Sequence, residues 1–120
     1  MLVKGTTFIR KGHVWFNLSE PSCTSPYVLC VNLTCLDDDC PDDECPLRHA
    51  DYAWIKKDYP TTVAFTRPYI WNADKIEACL KNGELQKPHE GDIPAATLSK
   101  IIKIAKTSRE LSDEKKAFLA

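Results

Sequence analysis

At about 150 residues per domain, a chain of 120 residues is expected to form one domain, and neither half would bury much surface alone. Hydrophobic residues make up 43% and charged residues 28%. That excludes disorder over most of the chain, and no run approaches the roughly 18 apolar residues of a membrane span. Sixteen basic and seventeen acidic residues give a formal net charge of −1, a balance unlike that of a nucleic-acid binder.

The first third reads as strands. Thr6 to Ile9 is a short apolar-polar stretch after Gly5, Lys11-Gly12 marks a turn, and Val14 to Leu18 is rich in strand formers. Glu20 to Pro26, with two prolines and two serines, is a loop. Tyr27 to Leu33 is nearly continuous in apolar residues, as in a strand buried on both faces. After a cysteine-rich acidic loop over 35–49, a short strand is expected near Ala53 to Ile55 and another over Thr61 to Thr66, beyond Pro60.

The last third reads as helices. Asn72 is a good N-cap and Gly83 a good C-cap, with Ile76, Cys79 and Leu80 on the core face between them. Pro94 opens a second helix. Leu98, Ile101, Ile102 and Ala105 form its apolar stripe, with Lys100, Lys103 and Lys106 opposite. Ser112 caps a short closing helix that buries Phe118. The expectation is a single α+β domain over 1–120, mainly β: strands over 1–71 in a small bent barrel of about five, then two to three helices over 72–120.

The net charge hides a segregation. Residues 37–44 read DDDCPDDE, six acids and no base, so the other 112 residues carry 16 bases against 11 acids. The plain reading of that segment is a solvated loop tip. The sharper one is a mobile acidic loop beside a basic groove, where it disfavours nonspecific phosphate binding.

Six cysteines are too few for a disulfide scaffold. The opening MLVKGTTFIR lacks the apolar core of a signal peptide. The expectation is therefore a cytoplasmic chain with reduced thiols, in which the sequons at Asn17 and Asn32 carry little meaning. Cys30 and Cys79 read as buried, inert thiols. Cys35, Cys40, Cys45 and His49 follow a C-x4-C-x4-C-x3-H pattern, and these ligand types suit tetrahedral zinc. The gaps depart from the common knuckles, which contain a pair separated by two residues. Ordinary thiols are the favoured reading, with a zinc site from these four as the alternative.

Four scattered glycines give no phosphate-cradling loop, dinucleotide fingerprint or nucleophile elbow. A cysteine–histidine nucleophile pair stays open. Metal-free RNA cleavage needs a group to take the 2′-hydroxyl proton, another to protonate the leaving oxygen, and donors for the charged phosphorane. His13, Ser19, Thr34, Arg48, His49 and Arg67 offer these functions, and composition does not choose among them.

The runs GHVWFNLSEPS, YVLCVNLT and ECPLRHADYAWI, with the later PHEGDIP and TSRELS, resemble a branch of the PemK/MazF family of toxin–antitoxin endoribonucleases. The resemblance covers most of the chain, from about Lys4 to Phe118. It implies an SH3-like barrel, a homodimer, a cognate antitoxin protein, and metal-independent cleavage of single-stranded RNA. In better-known members an arginine opens the strand that ends in serine, and a threonine closes the next long strand. Ser19 and Thr34 match these, while His13 stands where the arginine would be. Histidine keeps acid–base capacity but loses the permanent charge and forked donors. Where the branch carries Gly-Asp-His, this chain has Ala50-Asp51-Tyr52.

The resemblance thus implies His13 as general base or acid and Thr34 at the phosphate. Arg48 or Arg67 would stabilise charge, His49 is a second proton-transfer candidate, and Trp15, Tyr52 and Trp54 are candidates for base stacking. Aromatics in a small barrel are more often core. The alternative function is a non-catalytic protein- or peptide-binding module on the same barrel, with a zinc-stiffened loop.

Overall fold

Arg10 to His13 make the first tight turn. Lys11 and Gly12 both have positive φ, 50° and 78°, the pairing of a type I′ turn, whose twist suits a two-residue hairpin. The turn joins β1 (Thr7–Arg10) to β2 (His13–Asn17). In this computed structural model, which describes residues 1–119, the 20–26 loop leads to β3 (Tyr27–Cys35), the longest strand. There follow β4 (Pro46–Leu47), β5 (Thr61–Val63), β6 (Tyr69–Asn72), α1 (Ala73–Asn82), α2 (Ala95–Lys106) and α3 (Asp113–Lys116), then a 3₁₀ turn over Ala117–Leu119.

Every strand pairing is antiparallel. The order is β1-β2-β3-β5-β4, and β6 also pairs with β3. β6 lies along residues 27–30 of β3 and β5 along residues 33–35. The central strand thus changes partner part-way along, and the sheet bends there. The fold is α+β, mainly β, with its helices toward the C-terminus, as expected. No helix among the described residues is long and apolar enough to cross a membrane.

Two strand boundaries differ from the sequence reading. The strand expected at Ala53–Ile55 does not form. Asp51 N and Tyr52 N both donate to Arg48 O, and Ile55 N donates to Tyr52 O at 3.0 Å. These turns bury Tyr52 and Ile55 three residues apart rather than on an alternating face. The strand expected to reach Thr66 stops at Val63, because Phe65 N turns back to Val63 O at 3.1 Å and Arg67 N to Ala64 O. That reversal allows β6, absent from the sequence reading, to form beyond Pro68.

Side chains alternate along a strand, so the sheet has two faces. Val14, Phe16, Leu29, Val31, Leu33 and Val63 form the main core against Leu98, Ile101 and Ala105 of α2. On the opposite face Phe8, Trp15, Val28 and Cys30 pack with Ala73 and Ile76 of α1. The helix caps follow the sequence reading. Asn72 Oδ1 accepts from Asp74 N and Lys75 N, Gly83 takes φ +85°, and Ser112 Oγ accepts from Lys115 N. Pro94 is the N-cap residue of α2 rather than its first residue. Cys79 is half-buried, and Phe118 is half-buried beside buried Leu119.

The linker between α1 and α2 is tied to β1. Ile9 N donates to Gln86 O at 2.7 Å and covers part of the β1 edge. Thr7 N donates to Asp92 Oδ1 and Ile93 N to Thr7 Oγ1. Gly5, at φ +84°, passes so close to α2 that an added Cβ would lie 2.8 Å from Leu98 Cδ2.

Candidate functional site

The α1 face of the sheet is only half covered. Beyond Trp15 and Cys30 the helix ends its cover, and a cleft of about 780 Å³ opens over the rest. The sheet register pairs residues along it. Arg10 pairs with His13 across the β1–β2 hairpin. Trp15 pairs with Asn32, the last pair of the β2–β3 ladder, and His13 and Thr34 lie two residues beyond it on their own strands. Thr34 in turn pairs with Thr62 of β5. Arg10 and His13 are thus a cross-strand pair, and both line the cleft together with Thr34.

The cations come from two sides. Arg10 and Lys11 rise from the hairpin, and Arg67 from the turn before β6. The Arg10 guanidinium lies 4.7 Å from the Trp71 ring centre and 5.8 Å from that of Tyr69. Those rings stack on each other at 5.8 Å, and Trp15 meets both. The aromatic cluster fixes the direction of Arg10 through its π faces while leaving the N–H donors free. Among the described residues, none of Arg10, Lys11 and Arg67 is in an ion pair.

The acidic loop forms the far wall. Asp37 and Asp39 line the cleft, with Cys35 and Cys40. The second half of the loop is anchored. Buried Asp42 accepts from Thr66 N at 2.9 Å and Thr66 Oγ1 at 2.6 Å, directly before Arg67. Glu44 accepts from Ser108 Oγ and from Arg109 N, the latter at 2.9 Å. Burial alone would push Glu44 up, but these hydrogen bonds and the Arg109 charge hold its carboxyl below the usual value of 4.5.

The other expected site residues lie elsewhere. Ser19 is buried, and its Oγ accepts from Leu29 N at 2.9 Å, so it supports the β2–β3 pairing. Tyr52 is a core residue rather than a stacking platform. Its hydroxyl donates to Gly91 O at 2.6 Å, and burial pushes the phenol up to about 12. Arg48 and His49 share a separate shallow cleft with Lys57 and Asp58. His49 Nδ1 lies 2.6 Å from Ile55 O, and because a carbonyl only accepts, Nδ1 carries the proton. Trp54 is half-buried at the edge of the main core.

The zinc alternative meets dispersed ligands. Cys45 is fully buried, with its thiol pushed up to about 11 by burial, whereas Cys35 is exposed. Among the described residues, no three or more His, Cys, Asp or Glu side chains are grouped to hold a metal ion. Cys30 is buried as expected, and its thiol is pushed up to about 12.

Arg10, Lys11, Asn32 and Tyr69 join the cleft without having been singled out in the sequence. For Arg10 a signal existed. A two-residue turn at Lys11-Gly12 makes positions 10 and 13 a cross-strand pair. Compared with protein-family models, curated proteins and solved structures, the chain matches none.

Proposed function

We propose that this cleft cleaves single-stranded RNA, in the manner of a PemK/MazF-like endoribonuclease toxin. The observation that carries the proposal is the cross-strand pair Arg10 and His13 in one cleft with Thr34. The resemblance asks for an arginine where His13 stands, and the hairpin puts Arg10 directly across from it. The permanent charge and the acid–base group then come from two neighbouring strands instead of one residue.

In the reaction the ribose 2′-oxygen attacks the adjacent phosphorus. The O2′–P bond forms, the P–O5′ bond breaks, and the products are a 2′,3′-cyclic phosphate and a free 5′-hydroxyl. His13 either takes the 2′-hydroxyl proton, with solvent protonating the departing 5′-oxygen, or protonates that oxygen, with solvent taking the 2′-hydroxyl proton. Arg10 and Arg67 stabilise the charge that develops on the phosphorane, and the Thr34 hydroxyl donates to the same phosphate. No cofactor is needed for these steps. The cytoplasm, a homodimer and a cognate antitoxin protein belong to this reading.

The test is incubation of the purified protein with a long unstructured RNA in EDTA, beside His13→Ala and Thr34→Ala. Discrete fragments that vanish in the variants are the expected result. Intact RNA in every lane overturns cleavage. It would favour the second reading, a peptide-binding module whose aromatic floor is Trp15 and Tyr69, with Asp37 and Asp39 offsetting the cleft's cations.

A further inference from the structure

The first cleft does not end at His13 and Thr34. His13 and Thr34 also border a second cleft of about 690 Å³, walled by Trp54, Lys56, Tyr59 and His89. Lys56 and Tyr59 in turn border a third, of about 470 Å³, which holds Arg48, His49 and Lys57. Neighbouring clefts thus share lining residues, and the second opens past the hairpin turn on the side of Ile9, Leu33 and Ile55, the main-core side of the sheet.

Cations mark the first and third clefts. The first presents Arg10, Lys11 and Arg67, and the third presents Arg48, Lys56 and Lys57 against Asp58 alone. Among the described residues, none of these six cations is in an ion pair. The middle cleft holds two aromatic side chains, as the first does with Trp15 and Tyr69. Tyr59 is 56% exposed there, beside half-buried Trp54, and its charges are Lys56 and Glu90, with His13 and His89 also facing it. Cations at both ends and an open ring between them match an unpaired nucleic-acid strand, whose phosphates need charge and whose bases stack on aromatic faces.

We propose that the three clefts form one track for single-stranded RNA. The reacting phosphate lies at Arg10 and Arg67, an unpaired base stacks on Tyr59, and a more distant phosphate lies at Arg48 and Lys57. The proposal rests on the RNA-cleaving reading of the first cleft. It gives Arg48 a strand-holding role away from the reacting phosphate, and so accounts for its separation from His13.

The experiment is fluorescence anisotropy with end-labelled, 2′-O-methylated oligoribonucleotides of graded length, which bind but lack the attacking hydroxyl. The wild-type protein is compared with Tyr59→Ala and with the double variant Arg48→Gln/Lys57→Gln, while circular dichroism reports folding. All three side chains are exposed, so the fold is expected to persist. Affinity should rise with length until the strand fills the three clefts. Tyr59→Ala should weaken the longer strands about ten-fold, in line with the loss of one base–aromatic stack. The double variant should make the log–log salt dependence shallower by about 0.7, the value for one lost single-strand phosphate contact.

If RNA is cleaved, but affinity is already saturated by a dinucleotide and the variants bind like the wild type, the track is wrong and the first-cleft reading stands. Equal affinity for duplex RNA also overturns it, because a paired base cannot stack on Tyr59. A protein that neither binds nor cleaves RNA overturns both.

Discussion

Arg10 faces His13 across the β1–β2 hairpin, held there by a two-residue turn and by the faces of Tyr69 and Trp71. The pairing gives the proposed site its permanent charge beside its acid–base group. Arg10→Ala should lower kcat/KM for RNA cleavage by about 10²-fold, the scale for losing one donor to a developing oxyanion. Arg10→Lys should recover only part of that, since an ammonium keeps the charge but loses the planar fork that stacks and donates together. Single-turnover kinetics on a defined oligonucleotide checks both. Equal activity for Arg10→Ala and the wild type would remove Arg10 from the site.

The acidic wall makes the opposite prediction. Asp37 and Asp39 face the same cleft as the three cations, so neutralising them should tighten RNA binding. Asp37→Asn/Asp39→Asn should raise affinity several-fold at low salt, with the gain shrinking as salt screens the exposed charges. Unchanged affinity across the salt range would show that the wall exerts no electrostatic control.

Glu44 ties the loop to the segment after α2, and its folded pKa lies below the ordinary 4.5. A lowered carboxylate value means that the stabilisation is complete above 4.5 and is lost as pH falls through the folded value. The thermal midpoint should therefore drop on acidification, and Glu44→Gln should flatten that part of the curve. A variant with the same acid limb as the wild type would count against the role.

Tyr52 gives an alkaline counterpart. Its phenol is pushed from 10 to about 12 by burial, so its stabilisation is complete below pH 10 and is lost as pH rises through 12. Tyr52→Phe removes the hydrogen bond to Gly91 O. It should cost about 0.5–1.5 kcal/mol at neutral pH and leave the stability curve less steep in the alkaline range. Denaturant unfolding of the two proteins at several pH values measures both effects.

The thiols divide by burial. Cys23 and Cys35 are exposed, while Cys30 and Cys45 are buried with their thiols pushed up. Thiolate is the reactive form. A disulfide reagent should therefore label the first two rapidly and the second two only on unfolding. If stoichiometric zinc is found in the purified protein, with Cys35 protected until chelator is added, the cysteine loop rearranges to bind metal.

Much of the fold was written locally. The Lys11-Gly12 turn, the apolar run of β3, the Asn72 and Gly83 caps, and the stripe of α2 depend on residues close in sequence, and each formed where it was read. The segment at 53–55 misled because Tyr52 and Ile55 are buried through turns, and apolar content alone does not distinguish a turn from a strand. β6 was missed although Tyr69, Ile70 and Trp71 are strand-forming types, because the run is four residues long and its place in the sheet is set by pairing with distant β3.

Sequence alone therefore set the chain's class, its acidic loop and the identities of His13, Thr34 and Arg67 as candidates. Only the tertiary structure put Arg10 beside His13 in a cleft, sent Ser19 and Tyr52 to buried hydrogen bonds, and separated Arg48 from Thr34. The reason is physical. Burial, and register between strands distant in sequence, are decided by long-range packing, whereas turns, caps and periodicity are decided by neighbours.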